Sequence, residues 1–157
     1  MTDDVRYFED FEVGFEFGSA GTTLTDAKVE LFASVSQDHH PIHHDVVYAA
    51  EHGLGAPVVH GLLLTSLMAL GASDISASLR GSVVAMLWQR TDFRKPAFVG
   101  TTVRPWFRVA QLEGKSTAGL VVLDVRIEDQ NGEVLADGQQ AYLMRYRDHQ
   151  RAEETPT

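Results

Sequence analysis

Residues 119–134, "GLVVLDVRIEDQNGEV", decide the fold. Val121, Leu123, Val125 and Ile127 alternate with Asp124, Arg126 and Glu128, the period of two that marks a strand with one buried face. The Asn131-Gly132 pair in "QNGE" reads as the turn of a tight hairpin, so an antiparallel return strand is expected from Val134 to Tyr146. Working outward, "SVVAMLWQRTDF" (82–93) and "TTVRPWFRVAQL" (101–112) read as two more strands separated by "RKPAFVG". Pro105 cannot donate to a ladder, so it must lie at an edge or a bulge. A first strand is expected near Phe15 to Thr22.

The earlier half is mainly helical. In "TLTDAKVELFASVSQD" Thr25 is placed as an N-cap and Asp26 in the first turn, with Val29, Phe32, Ala33 and Ser36 at helical spacing. A short helix is expected over "DVVYAAEHG", capped by Asp45 and stopped at Gly53. Beyond His60-Gly61 the chain is apolar all round from Leu62 to Leu70, the pattern of a helix surrounded by protein. Thr65 and Ser66 inside it are expected to bond back to the preceding turn. The sum is an α+β domain in which a long central helix is wrapped by a curved antiparallel sheet. It is expected to span residues 1–147 as a single domain, with 148–157 a disordered polar tail.

Composition narrows the function classes. The 13 Lys+Arg against 22 Asp+Glu give a net charge of -9, which argues against general nucleic-acid binding, since that relies on neutralising phosphates. The chain has no cysteine, which removes disulfides, thiolate nucleophiles and Cys-bearing zinc sites, and is compatible with a reducing compartment. "MTDDVRYFED" lacks a basic and then apolar leader, and "GLLLTSLMALGA" falls short of the roughly 20 residues that span a bilayer. No membrane segment is expected, and the cytoplasm is the expected location.

The chemistry concentrates in "SQDHHPIHHD" (36–45), with four histidines and two aspartates around one proline. Pro41 lacks an N–H and biases His40 toward extended conformations, so His39/His43 and His40/His44 cannot share a helical face. A metal site here would therefore need loop ligands together with Asp38 or Asp45. The simpler reading has Asp38 capping a turn, Asp45 capping the next helix, and His39 and His44 solvated.

This stretch resembles the S-G-D-x-N-P-[IL]-H-x-D signature of the MaoC-like or hydratase-2 family, the (R)-specific enoyl-CoA hydratases and dehydratases. "YFEDFEVG" (7–14), "APVVHGLLLTSL" (56–67) and "FRKPAFVGTTV" (93–103) are similar to family landmarks in the family order, so the resemblance covers nearly the whole chain. It implies a hot-dog fold acting as a homodimer, or a dimer of dimers, on acyl thioesters of coenzyme A. It also implies water as cosubstrate, with no cofactor and no metal. The catalytic Asp falls on Asp38, the catalytic His on His43, and the helix-opening glycine, whose N–H would stabilise the thioester oxygen, on Gly61. His40 and His60 are expected to contact substrate, although a packing or capping role suits His60 equally. Arg90, Arg94 and Lys95, with Arg104 nearby, are candidates for the coenzyme A phosphates. Two departures stand out: Gln37 replaces the motif's glycine and His40 its asparagine. The first is expected to bend the loop differently, because glycine there would tolerate a positive φ. Alternatives within this reading are a hot-dog acyl-CoA thioesterase and a non-catalytic acyl-CoA-binding subunit.

Overall fold

The alternation at 119–129 is realised as a strand in a computed structural model of the chain, which describes residues 5–149. The elements in chain order are β1 (Glu16–Gly18), β2 (Thr22–Thr23), α1 (Asp26–Ser36), α2 (Val46–Glu51), α3 (Gly61–Leu67), β3 (Val83–Phe93), β4 (Thr102–Gly114), β5 (Gly119–Asp129) and β6 (Val134–Met144). The strands form one antiparallel sheet in the order β1-β4-β5-β6-β3, with β2 also on β4. Register shifts within β3 and in the β4–β5 pairing bend it. Its inner face supplies the core: Phe107, Val109, Val121, Leu123 and Ile127 lie with Leu63, Leu64 and Met68 in a single apolar cluster.

Pro105 sits where the sequence demands. The Pro105 carbonyl accepts from Ser19 N–H at 3.2 Å, so its proton-less nitrogen faces the β1/β2 side, in the gap where that flanking strand is broken. For the same reason the single first strand expected over Phe15 to Thr22 is split in two.

The hairpin expected at Asn131-Gly132 forms, with a three-residue loop. Gly132 N–H donates to the Asp129 carbonyl, Gly132 carries φ +81°, and the Asp129 carboxylate accepts from the N–H groups of Asn131 and Glu133, each at 2.8 Å. The central helix is shorter than the apolar run. It ends at Leu67, because the Met68 carbonyl is taken by the buried Gln140 amide at 2.9 Å, and Leu70–Ala72 continue as a separate 3-10 turn. Leu63 and Leu64 are buried, but Leu62 is 64% exposed, so protein surrounds the helix on one side only.

The other helices follow their caps. Thr25 Oγ1 accepts from Lys28 N–H at the start of α1, and Asp45 Oδ1 accepts from Val47 and Tyr48 N–H at the start of α2. Inside α3, Ser66 bonds back to the Leu63 carbonyl at 2.7 Å, whereas the buried Thr65 hydroxyl finds no partner among the described residues. Among the described residues no helix is long and apolar enough to cross a membrane. Arg147–His149 form a 3-10 turn, which extends the structured chain past the expected boundary at 147; the rest of the expected polar tail lies outside the described residues.

Candidate active site

The site begins where α1 ends. Gln37 leaves the helix in the left-handed region, φ 61° and ψ 17°, and its N–H caps the Ala33 carbonyl. Gln37 thus holds, with a side chain, a left-handed conformation that glycine tolerates more readily. Asp38 follows directly. His40 N–H donates to Asp38 Oδ1 at 3.3 Å, and the His40 ring accepts from Ile42 N–H at 3.3 Å. His40 thereby caps the 3-10 turn Pro41–His43, in which Pro41 fills a first-turn position that needs no N–H. An asparagine side chain could provide the same kind of cap.

His43 is turned inward. Its Nδ1 lies 2.7 Å from the Val58 carbonyl, while Val58 N–H donates to the Ile42 carbonyl. A carbonyl only accepts, so Nδ1 carries the proton and Nε2 presents a lone pair. That Nε2 faces Asp38 Oδ2 at 3.7 Å. Burial pushes the His43 imidazole below its ordinary pKa, partly offset by the Val58 carbonyl and by Asp38, so the neutral ring is favoured. The His40 N–H, with His43 contributing, holds the Asp38 carboxyl below its ordinary value. The result is two acceptors facing each other, too far apart for a direct hydrogen bond and with no proton to share. A water molecule placed between them would donate one O–H to each.

Behind the pair lies His60. It was expected against the substrate but is 2% exposed, its ring stacked on His43 with centroids 3.7 Å apart. Asp38, His43 and His60 each bring a potential ligand atom within 4.8 Å of the others, a grouping different from the loop set considered in the sequence. The geometry does not favour a metal there. Imidazole lone pairs lie in the ring plane, and rings stacked at 23° with centroids 3.7 Å apart hold them in nearly parallel planes, which makes it hard for both to meet one ion.

His43 also borders a cleft of about 320 Å³ whose walls include Val58, Gly61, Leu64, Phe93, Arg94 and Lys95. The N–H groups of Gly61 and Leu62, at the open start of α3, find no acceptor among the described residues. A Cβ on Gly61 would come within 2.9 Å of the Phe93 ring, so only glycine leaves room for this contact. Arg94 and Lys95 reach the cleft already paired, Arg94 with Asp137 at 2.8 Å and Lys95 with Glu133. Arg90 does not line it. That side chain pairs with Asp92 over a separate depression of about 540 Å³ on the polar face of the sheet, among Arg108, Asp124 and Arg126. Arg104, also exposed, lines neither. His39 and His44 are exposed, as expected.

Two contributors had no sequence signal. The Val58 carbonyl is a backbone group and leaves no trace in residue identity, and Phe93 reads as one more strand residue. The sequence did mark His60-Gly61, but not the contact of the His60 ring with both Asp38 and His43.

The chain is similar to known proteins in both sequence and fold. The family model described as MaoC like domain matches residues 11–129. An (R)-specific enoyl-CoA hydratase of Aeromonas caviae is 33% identical over 113 residues, covering 72% of this chain and 81% of that protein. A solved (R)-hydratase from A. caviae aligns with TM-score 0.73 at 31% identity, covering 85% of this chain and 97% of that one. A Mycobacterium tuberculosis protein described as having a double hot-dog fold aligns with TM-score 0.76 at 21% identity, over 98% of this chain and 47% of that one. The helix laid in a curved antiparallel sheet is thus a hot-dog fold, and the chain, matched by the family model over more than half its length, belongs to the MaoC-like domain family.

Proposed function

We propose that the protein is an (R)-specific enoyl-CoA hydratase which, run in reverse, dehydrates 3-hydroxyacyl-CoA. The observation that carries this reading is the facing pair of acceptors, His43 Nε2 and Asp38 Oδ2, 3.7 Å apart. A water held between them loses a proton to the pair as its oxygen bonds to C3 of the enoyl thioester. The C2–C3 π electrons move onto the thioester oxygen, and the pair returns a proton to C2 as the carbonyl re-forms. Each proton taken is given back, so no cofactor is required. Positioned acid/base groups of this kind are typically worth about 10²–10⁴-fold. The free N–H of Gly61 opens onto the cleft beside His43 and is suited to stabilise the thioester oxygen in the enolate, a contribution of about 10²–10³-fold in comparable sites.

Coenzyme A is the carrier favoured by the name of the A. caviae relative and by Arg94 and Lys95 at the cleft. His40, expected against the substrate, is exposed on the loop and does not line the cleft; its part is to cap the turn that carries His43. The reaction needs no metal in this account, and the lack of cysteine suits a reducing cytoplasm. A second copy of the chain would cover the apolar outer edge of β3 and complete the substrate channel.

The test is an incubation with a panel of enoyl-CoA thioesters, with a thiol-trapping reagent in one arm and chelator in another. Expected is hydrated thioester, no released thiol, and a rate unchanged by chelator. Released thiol would make the protein a thioesterase, binding without turnover would make it a carrier subunit, and loss of rate with chelator would restore a metal to the site.

A further inference from the structure

The ring of His60 touches both members of the pair without reaching the cleft. It is buried, and its Nε2 lies 3.0 Å from the Asp38 backbone carbonyl. Because that carbonyl only accepts, Nε2 carries the hydrogen and donates it across 22 residues of chain to the residue that bears the carboxylate. One face of the same ring lies on His43 at 3.7 Å, and Phe32 of α1 packs against it at 5.2 Å. The remaining nitrogen, Nδ1, is buried with no hydrogen-bond partner among the described residues. A buried polar atom left unpaired costs about 1–3 kcal/mol, and an apolar ring could fill the same space without that cost. Packing alone therefore does not account for a histidine here, whereas a donor and a flat face on one side chain do.

We propose that His60 is the positioning residue of the site: through one hydrogen bond and one ring face it sets the separation and mutual orientation of Asp38 and His43, and it does not bind substrate. This rests on the reading of Asp38 and His43 as the acid/base pair. The separation matters because one water must reach both acceptors at once, and a displacement of about 1 Å in such a site can cost about 10²-fold in rate. Like-charge repulsion from the His60 ring also contributes to the lowering of the His43 pKa.

Two variants divide the roles. His60→Gln keeps a donor at about the place of Nε2 and loses the face; His60→Phe keeps the face and loses the donor. Each is expected to lower kcat on crotonyl-CoA by about 10-fold or more while KM stays within about 2-fold, with His60→Leu, which loses both, falling to about 10²-fold. The titration of His43, followed by NMR in the absence of substrate, is expected to move to higher pH in His60→Gln and His60→Phe. The acid limb of the rate profile should move with it. The other groups about His43, namely Asp38, His40 and His44 on the loop, Asp26 and Glu30 on α1, and Arg94 and Lys95 after β3, are unchanged in these variants, so the shift belongs to His60. A raised KM with unchanged kcat would overturn the proposal in favour of substrate contact. Unchanged kcat and unchanged His43 titration in folded variants would reduce His60 to packing. If the wild type hydrates no enoyl thioester, the functional reading fails by itself, and the NMR titration alone decides the positioning role, a shift supporting it and no shift overturning it.

Discussion

At the scale of the residue, the proposed chemistry depends on which atom of His43 is bare. The Val58 carbonyl holds the proton on Nδ1, which leaves Nε2 to face Asp38. Asp38→Asn and His43→Gln are each expected to cut kcat by about 10²-fold or more, and the double variant to be little worse than either, because in the proposed reaction both groups serve one proton-transfer event. Steady-state kinetics with circular dichroism as a fold control checks this. The pH dependence follows from the direction of the shifts. The base must be neutral, and burial lowers the His43 pKa, so the acid limb of kcat/KM is expected below the ordinary histidine value of about 6.5, with the rate falling as pH drops through it. The Asp38 carboxyl, itself lowered, should still be ionised there. A limb above 6.5 would mean that a different group is titrating.

At the scale of the element, the exit from α1 is a place where sequence and structure disagree in an informative way. Gln37 occupies the left-handed region, which costs a residue with a Cβ about 1–2 kcal/mol. Gln37→Gly is therefore expected to stabilise the fold by about 1 kcal/mol, net of the greater freedom glycine has when unfolded, and to raise Tm by about 2–4 °C with activity unchanged. Thermal unfolding would show it. Strands β3 to β6 were legible because alternation is written directly in residue identity, and α1 and α2 because Thr25 and Asp45 are caps by type. The end of α3 was not, since it is fixed by Gln140, 72 residues away in the chain. The Asn131-Gly132 hairpin was legible too, but its three-residue loop was not, since it depends on Asp129 gathering the N–H groups of Asn131 and Glu133. In the site, the family motif brought out Asp38, His43 and Gly61, while the partners that hold them are backbone groups and a buried ring, which pattern alone does not reveal.

At the scale of the whole molecule, β3 is an edge strand with Val84, Met86, Leu87 and Trp88 exposed, and Leu62 of α3 is exposed as well. An apolar edge of this kind invites pairing with another chain. The protein is expected to be a homodimer, and a charge placed on that edge by Met86→Lys or Leu87→Lys should shift it toward monomer with loss of activity. Light scattering of active protein at micromolar concentration decides it, a fully active monomer being the contrary result. The measurement that bears most directly on the central claim is mass analysis of the thioester after incubation of crotonyl-CoA with wild type and with Asp38→Asn side by side. An intact thioester heavier by one water is expected with the wild type, and about 10²-fold less of it in the same time with the variant. No hydrated product from the wild type, or equal amounts from both proteins, would contradict it.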